Sequence, residues 1–358
     1  MIFLRSTLRE FATAGTAVFI VLLTITFISQ LIRLLGVAAR GKVPADAILT
    51  LLGFSAIGSL SVLLSATLFL SVLLTLTRAY RDSEMVVWQS SGLGLLQWCK
   101  PVAIFALPIV LCVGALSLYI TPWVIGKADQ YRHQLETRDD VAAITPGVFK
   151  EAKSGDRVFF VEKFSADLMQ VANIFVHSTQ NQRQGVMVAS RGYVETTPEG
   201  DRYLVLLDGR RYEGTPGQAD YRVISFRKYS VRIEQSEKTS YLPSQKSRDT
   251  LQLFAEPSPL HIAELAFRVG MPISSMILAF LAIPMSAVNP RTGRFANLIL
   301  AVLVFMIYSN LVSMSQAWIA QGKLSPRVGT WIVHAAMFVV LVILLAWRVG
   351  KLRGLTRR

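Results

Sequence analysis

The string Gly36-Val37-Ala38-Ala39-Arg40-Gly41-Lys42 has the G-x-x-x-x-G-K spacing of a phosphate-cradling loop. In such a loop the glycines let backbone N–H groups approach a phosphate, and a following Ser or Thr holds the metal ion. Here the following residue is Val43, and the string comes after a long apolar run instead of a strand. It is therefore no credible nucleotide site, and the chain carries no ATPase of its own there. His133, His177, His261 and His334 show no metal-ligand spacing, and no Ser/His/Asp or Cys/His grouping follows from spacing. Cys99 and Cys112 cannot build a disulfide framework and read as free thiols of a membrane segment. The expectation is no catalytic residue, no metal and no cofactor.

Two charged groupings remain. Arg33 ends an apolar run, with Arg40 and Lys42 close behind it. One reading is an interfacial arginine whose stem lies along apolar surface while its head reaches water. The other is a cationic rim for a lipid headgroup bearing phosphates, which the arginine fork contacts in bidentate fashion. The residues alone leave both open. Glu84, in the string Asp82-Ser83-Glu84-Met85-Val86-Val87-Trp88-Gln89, opens a short amphipathic helix expected between a cap at Asp82 or Ser83 and a stop at Gly92. Complementarity to the helix dipole is the plainer role for Glu84. The sharper one is an ionic contact to a soluble partner, with Met85 and Trp88 as apolar anchors.

The elements that position these residues are set by six uncharged apolar runs, 11–32, 47–77, 101–126, 269–290, 295–322 and 328–347. Each has the ~20 residues that a helix needs to cross a bilayer. The net charge is +14. Residues 127–267 balance 19 basic against 19 acidic residues, so the whole excess sits around the apolar runs. That distribution suits membrane topology and anionic lipid, and it argues against nucleic acid. Basic residues concentrate before run one, between two and three, between four and five and after run six, as in Arg5, Arg78, Arg81, Arg291 and Arg348. The positive-inside rule then places both termini in the cytoplasm and the large insert outside, in a periplasm if the cell has one. The first run, 22 residues long, exceeds the ~7–15 of a signal-peptide core and is read as a retained span.

The insert reads as β-structure. Segments 157–161, 173–177, 186–189, 203–207 and 221–233 are rich in Val, Ile, Phe and Tyr. Turn chemistry is expected at 198–201, at Asp208-Gly209 and at 214–217. The fold class is six transmembrane helices, three and three, around an inserted all-β jelly-roll-like domain. The boundaries are 1–126 for helices one to three with the amphipathic helix at about 82–92, 127–267 for the β domain and its linker, and 268–358 for helices four to six with a basic tail. No charged residue is expected within the core of any span, which disfavours an intramembrane enzyme and a proton-coupled carrier.

Four strings in order, QLIRLLG, SEMVVWQSSGL, RRYEGTPGQADYRVISF and AIPMSAVNPRTGR, give the chain a resemblance over essentially its whole length. It resembles the lipopolysaccharide export permease family LptF/LptG, also called YjgP/YjgQ, and is closer to the LptF branch. The resemblance implies a transmembrane subunit of an ABC transporter in the bacterial inner membrane. It implies an LptG-like paralogue as heterodimer partner, an LptB-like cytosolic ATPase dimer, an LptC-like single-span protein and an LptA-like periplasmic bridge. Lipopolysaccharide is the implied cargo. Glu84 falls on the family's ATPase-coupling glutamate and Arg33 on its basic residue near the lipid phosphates, with spans one and five as lateral gates. The competing expectations are a permease for another lipid and a membrane-anchored sensor or scaffold.

Overall fold

The computed structural model describes residues 2–40, 43–142, 149–151, 157–164, 170–180, 183–196, 202–215, 220, 222–234, 244–287 and 294–355. The chain divides into two compact units, one of Met1–Tyr131 with Pro243–Arg358 and one of Arg132–Leu242.

The first unit contains six helical segments long and apolar enough to cross a membrane. Span one is α1 (Ile2–Ala39), and span two is α2 (Ile48–Arg81), followed by the short α3 (Glu84–Ser90). Span three is composite: α4 (Cys99–Ala115), a π-helical turn at Leu116–Ile120 and α5 (Thr121–Ala142). The chain returns through α6 (Thr250–Ala255) into α7 (Pro259–Met285), α8 (Arg294–Ala320) and α9 (Pro326–Leu355). Helices are the only open-chain way to satisfy backbone groups without water, which is why the apolar runs fold so. Hydroxyls inside the spans follow the same logic: Thr16, Thr24 and Thr75 donate to carbonyls four residues back.

Span four departs from its uncharged run. Pro259 sits at the helix start, where its missing N–H is harmless, and Ser258 Oγ accepts from the His261 N–H at 3.1 Å. The helix therefore begins ten residues before residue 269 and draws Glu264 and Arg268 into the span. The uncharged run therefore marks only part of this helix.

Spans two and four form the interior. Of the most apolar window of α2, 61% is buried, against 6% for α1. Leu68, Phe69 and Leu73 of α2 meet Val102 and Ala106 of α4 and Leu278, Ala282 and Ile283 of α7 in one core. Lipid tails are as apolar as leucine, so close approach and hydroxyl pairs matter more here than hydrophobicity. Ser275 Oγ donates to Ser65 Oγ at 2.8 Å across α7 and α2. Gly15 lets α1 lie against Ser71 and Phe105. Large side chains of α1, α8 and α9 such as Ile25, Ile32, Ile299 and Ile343 stay exposed, as surfaces for lipid or for other spans.

The second unit holds β1 (Lys150–Glu151), β2 (Arg157–Phe164), β3 (Gln170–Gln180), β4 (Arg183–Thr196), β5 (Arg202–Gly214) and β6 (Arg222–Glu234). Among the described residues they form one six-stranded antiparallel sheet in chain order. The all-β character is as the sequence implies. One expected turn is not: Asp208-Gly209 lies inside β5. There Asp208 takes φ 51° and the ladder resumes beyond it.

That residue belongs to a line across the sheet. The ladder passes over the pairs Glu162/Asn173, Asn173/Ser190, Ser190/Asp208 and Asp208/Arg227 while keeping register on both sides. Asn173 also has φ 51°, and its side-chain amide donates to Glu162 Oε2 at 2.6 Å. Ser190 Oγ donates to the Asp208 carbonyl at 3.1 Å. In β4 the buried positions pass from Met187 and Ala189 to Gly192, the change of parity expected at such a line. Ile174, Val176, Met187, Leu204, Leu206 and Val231 make the apolar core of this unit.

Gly209 carries the line. A Cβ there would lie 2.5 Å from Phe226 Cζ and 2.6 Å from the Val188 carbonyl oxygen, and the backbone atom cannot step aside. Gly209→Val is expected to destabilise the sheet by about 1–3 kcal/mol or more. Limited proteolysis of the intact protein checks this, with cleavage accelerated between residues 132 and 242 and the helical unit left resistant.

Candidate functional site

Two ends of the helical unit carry polar machinery. The end bearing α3 is built by a tight reversal after α2. Ser83 enters α3 with φ 60° and makes no side-chain cap bond, while Gly92 with φ 90° ends it. The N–H of Leu93 closes on the Trp88 carbonyl and that of Gly92 on Gln89, a glycine-terminated helix stop. The expected short helix is therefore present, capped by backbone geometry.

Its faces differ from a simple docking stripe. Met85 is 1% exposed and packs into the helical core, and Trp88 packs partly against the same core. These two fasten α3 to the bundle. The apolar side chains offered outward are Val86 and Val87, with Leu96 beyond the helix. Glu84 is half exposed, with one carboxylate oxygen 3.9 Å from Arg78 Nη2. Arg78 also meets Glu10 of α1 at 3.0 Å and Asp82 at 3.9 Å. One arginine thus gathers the first span, the end of the second and α3. Such half-exposed pairs contribute little to stability, about 0–1 kcal/mol, so their interest is positional.

At the opposite end, bearing α6, Arg33 lies in the last turns of α1 and Arg40 just past its end, and both are exposed. Arg33 Nη2 donates to Gln30 Oε1. Lys42, the third residue of the expected rim, lies outside the described residues. The helical conformation of Gly36 to Ala39 rules out a phosphate-cradling loop there. Lys323, between α8 and α9, and Arg327, in the first turn of α9, stand at this same end.

The sequence reading missed the polar node at this end. Arg268 is 2% exposed and Glu264 6%. Arg268 Nε donates to Glu264 Oε1 at 3.0 Å. Its Nη1 donates to Thr250 Oγ1 at 2.8 Å, and its Nη2 donates to the carbonyls of Lys246 at 3.2 Å and Gln245 at 3.5 Å. Glu264 Oε2 accepts from Gln316 Nε2 of α8 at 2.9 Å. Ser117 Oγ, in the π turn of span three, donates to the Arg268 carbonyl at 3.1 Å. A π turn frees carbonyl groups from the helix ladder, and one of these, at Leu118, accepts from the Thr250 hydroxyl. The available signal was an i,i+4 Glu/Arg pair beside a proline-started span.

The polar features on display are a short helix fixed to the bundle with an exposed apolar and acidic side, and spans joined by polar pins. This is the outline of a polytopic membrane protein of the permease class, with an all-β insert between its two sets of three spans. The family described as lipopolysaccharide export system permease LptF/LptG matches residues 5–347, and the chain belongs to that family. Similar proteins include the lipopolysaccharide export system permease proteins LptF of Escherichia coli (strain K12) and of Shigella flexneri. Each is 27% identical over 356 residues, covering 99% of this chain and 97% of the relative. The family is one of transport permeases and not of enzymes, and the chain is a multi-pass inner-membrane protein.

Proposed function

We propose that this chain is the LptF-type transmembrane subunit of an ABC exporter that extracts lipopolysaccharide from the inner membrane. A separate LptB-like ATPase dimer grips α3 on the cytoplasmic side, and an LptG-like paralogue completes the transmembrane cavity. The reading rests on one observation above the family membership. A short helix is fixed to the bundle through Met85 and Trp88 and turns Glu84, Val86 and Val87 outward. A sensor or scaffold has no use for such a helix.

Both termini lie in the cytoplasm, since the basic residues gather at the α3 end. The β unit is then periplasmic. Its sheet makes the apolar trough of a jelly-roll-like domain that passes lipid to an LptC-like protein and an LptA-like bridge. Spans α1 and α8 are the lateral gates, consistent with their exposed apolar faces. Arg33, Arg40 and Lys42 face the phosphates of the headgroup, where arginine forks hold two oxygens at once.

The test is to purify the tagged protein in mild detergent and identify what travels with it by mass spectrometry. An ATPase, a paralogue of similar plan and lipopolysaccharide together are expected. An ATPase with another lipid changes the cargo and keeps the mechanism. Recovery of the chain alone, after crosslinking and in several detergents, overturns the exporter in favour of a sensor or scaffold.

A further inference from the structure

The node around Arg268 joins more of the molecule than its size suggests. An ionised pair inside a membrane segment is costly and marks function more often than stability. Replacing a buried pair with apolar residues is often neutral, so stability alone gives no reason to keep one. Arg268 holds Thr250 and the carbonyls of Gln245 and Lys246, all on the strap of chain that leads from the β unit into α7. The strap is tied a second time. Arg248 Nη1 lies 3.2 Å from His261 Nε2 and 3.6 Å from Glu256. Arginine cannot accept, so His261 Nε2 is the acceptor and its Nδ1–H donates to the Glu256 carbonyl.

On the other side of the pair stands α8. Its polar attachments to α2 and α7 among the described residues are an amide at each end. Asn297 Nδ2 donates to Thr77 Oγ1 at 2.9 Å near the α3 end, and Gln316 Nε2 donates to Glu264 Oε2 at 2.9 Å near the α6 end. Gln316 also borders a small cleft with Ser315, Gly329, Thr330 and His334.

We infer that Glu264 and Gln316 form the latch of α8 at the α6 end, with Arg268 as the positioning residue that locks the latch carboxylate to the strap. Outward movement of α8 must break the Gln316 bond. Movement of the strap displaces Arg268 and weakens the hold on Glu264. Release of the gate and entry of lipid into the β unit are thereby linked. The inference deepens the exporter reading and rests on it.

The test uses Gln316→Leu, which removes the latch bond and leaves the ion pair whole. Asn310→Leu is the control, because Asn310 is exposed on the same helix and, among the described residues, bonds the Met306 carbonyl of its own turn. Each is made with Cys99 and Cys112, the two free cysteines, replaced by serine, and with spin labels at the exposed Leu260 and Trp318. Gln316→Leu is expected to broaden the label-to-label distance distribution, and Asn310→Leu to leave it as in the parent. In liposomes with the full complex, lipopolysaccharide delivered per ATP hydrolysed is expected to fall about five-fold or more for Gln316→Leu, with ATP hydrolysis retained. An unchanged distance distribution overturns the latch. A broadened distribution with an unchanged delivery ratio overturns its role in coupling. If the parent complex moves no lipopolysaccharide, the exporter reading has failed instead, and the distance measurement still decides the latch.

Discussion

Glu84→Lys is expected to strip the proposed ATPase partner from the purified complex. The expectation follows from where Glu84 sits. It is on the outward side of a seven-residue helix whose inward side is spent on the core. A partner that grasps α3 meets a carboxylate flanked by Val86 and Val87, the pattern of a charged contact inside an apolar patch. Reversing one charge of a desolvated pair costs about 2–5 kcal/mol, a loss of roughly 30-fold or more in affinity. The new lysine also faces Arg78, 3.9 Å from the present carboxylate, and pushes α3 away from the arginine that gathers α1 and α2. The measurement is recovery of ATPase activity with the tagged chain, beside a protease-resistance check on the β unit. Normal recovery and normal lipid export by the variant would sink the coupling role. Val86→Ser with Val87→Ser should weaken recovery without any change of charge.

The six spans were legible because nothing but a bilayer explains six uncharged runs of such length, and the period-two segments announced a sheet. Helix ends were less legible. An uncharged run marks where charge stops, and α7 shows that the helix need not stop there, since Glu264 and Arg268 neutralise one another and enter the span together. The orientation of α3 was likewise out of reach. Met85 and Trp88 were plainly an apolar side, but whether that side faces the bundle or a partner depends on how α2 ends. The left-handed Ser83 that decides it has no sequence signature.

Asp208-Gly209 is the instructive error in the β unit. Aspartate followed by glycine is strong turn chemistry because both tolerate positive φ. The sequence reports that tolerance correctly: Asp208 adopts φ 51°. It cannot report that Asn173, two strands away, does the same on the same line, so that the ladder skips one pair and continues instead of reversing. The basic rim is the reverse case. Arg33 and Arg40 were visible as charge against the topological trend, and the structure leaves both exposed, one within the last turns of α1 and one just beyond it.

Arg268→Leu is expected to be the most destabilising single change in the helical unit, and its partner substitution separates stability from transport. Removing the guanidinium leaves Glu264, 6% exposed, with the Gln316 amide as its remaining partner at the node. It also strips donors from Thr250, Lys246 and Gln245. Breaking a buried pair in this way costs about 3–5 kcal/mol, or about 4–7 °C of melting temperature for a chain of 358 residues. The double change Glu264→Met with Arg268→Leu removes the stranded charge and restores packing, so most of that loss is expected to return. The latch bond does not return, because Gln316 then faces a thioether where it had a carboxylate. Thermal melts followed by size-exclusion chromatography measure the first effect, and lipid delivered per ATP measures the second. A double variant that is stable yet still poorly coupled assigns the pair to movement of the gate. One that is stable and fully coupled makes it an ordinary structural contact.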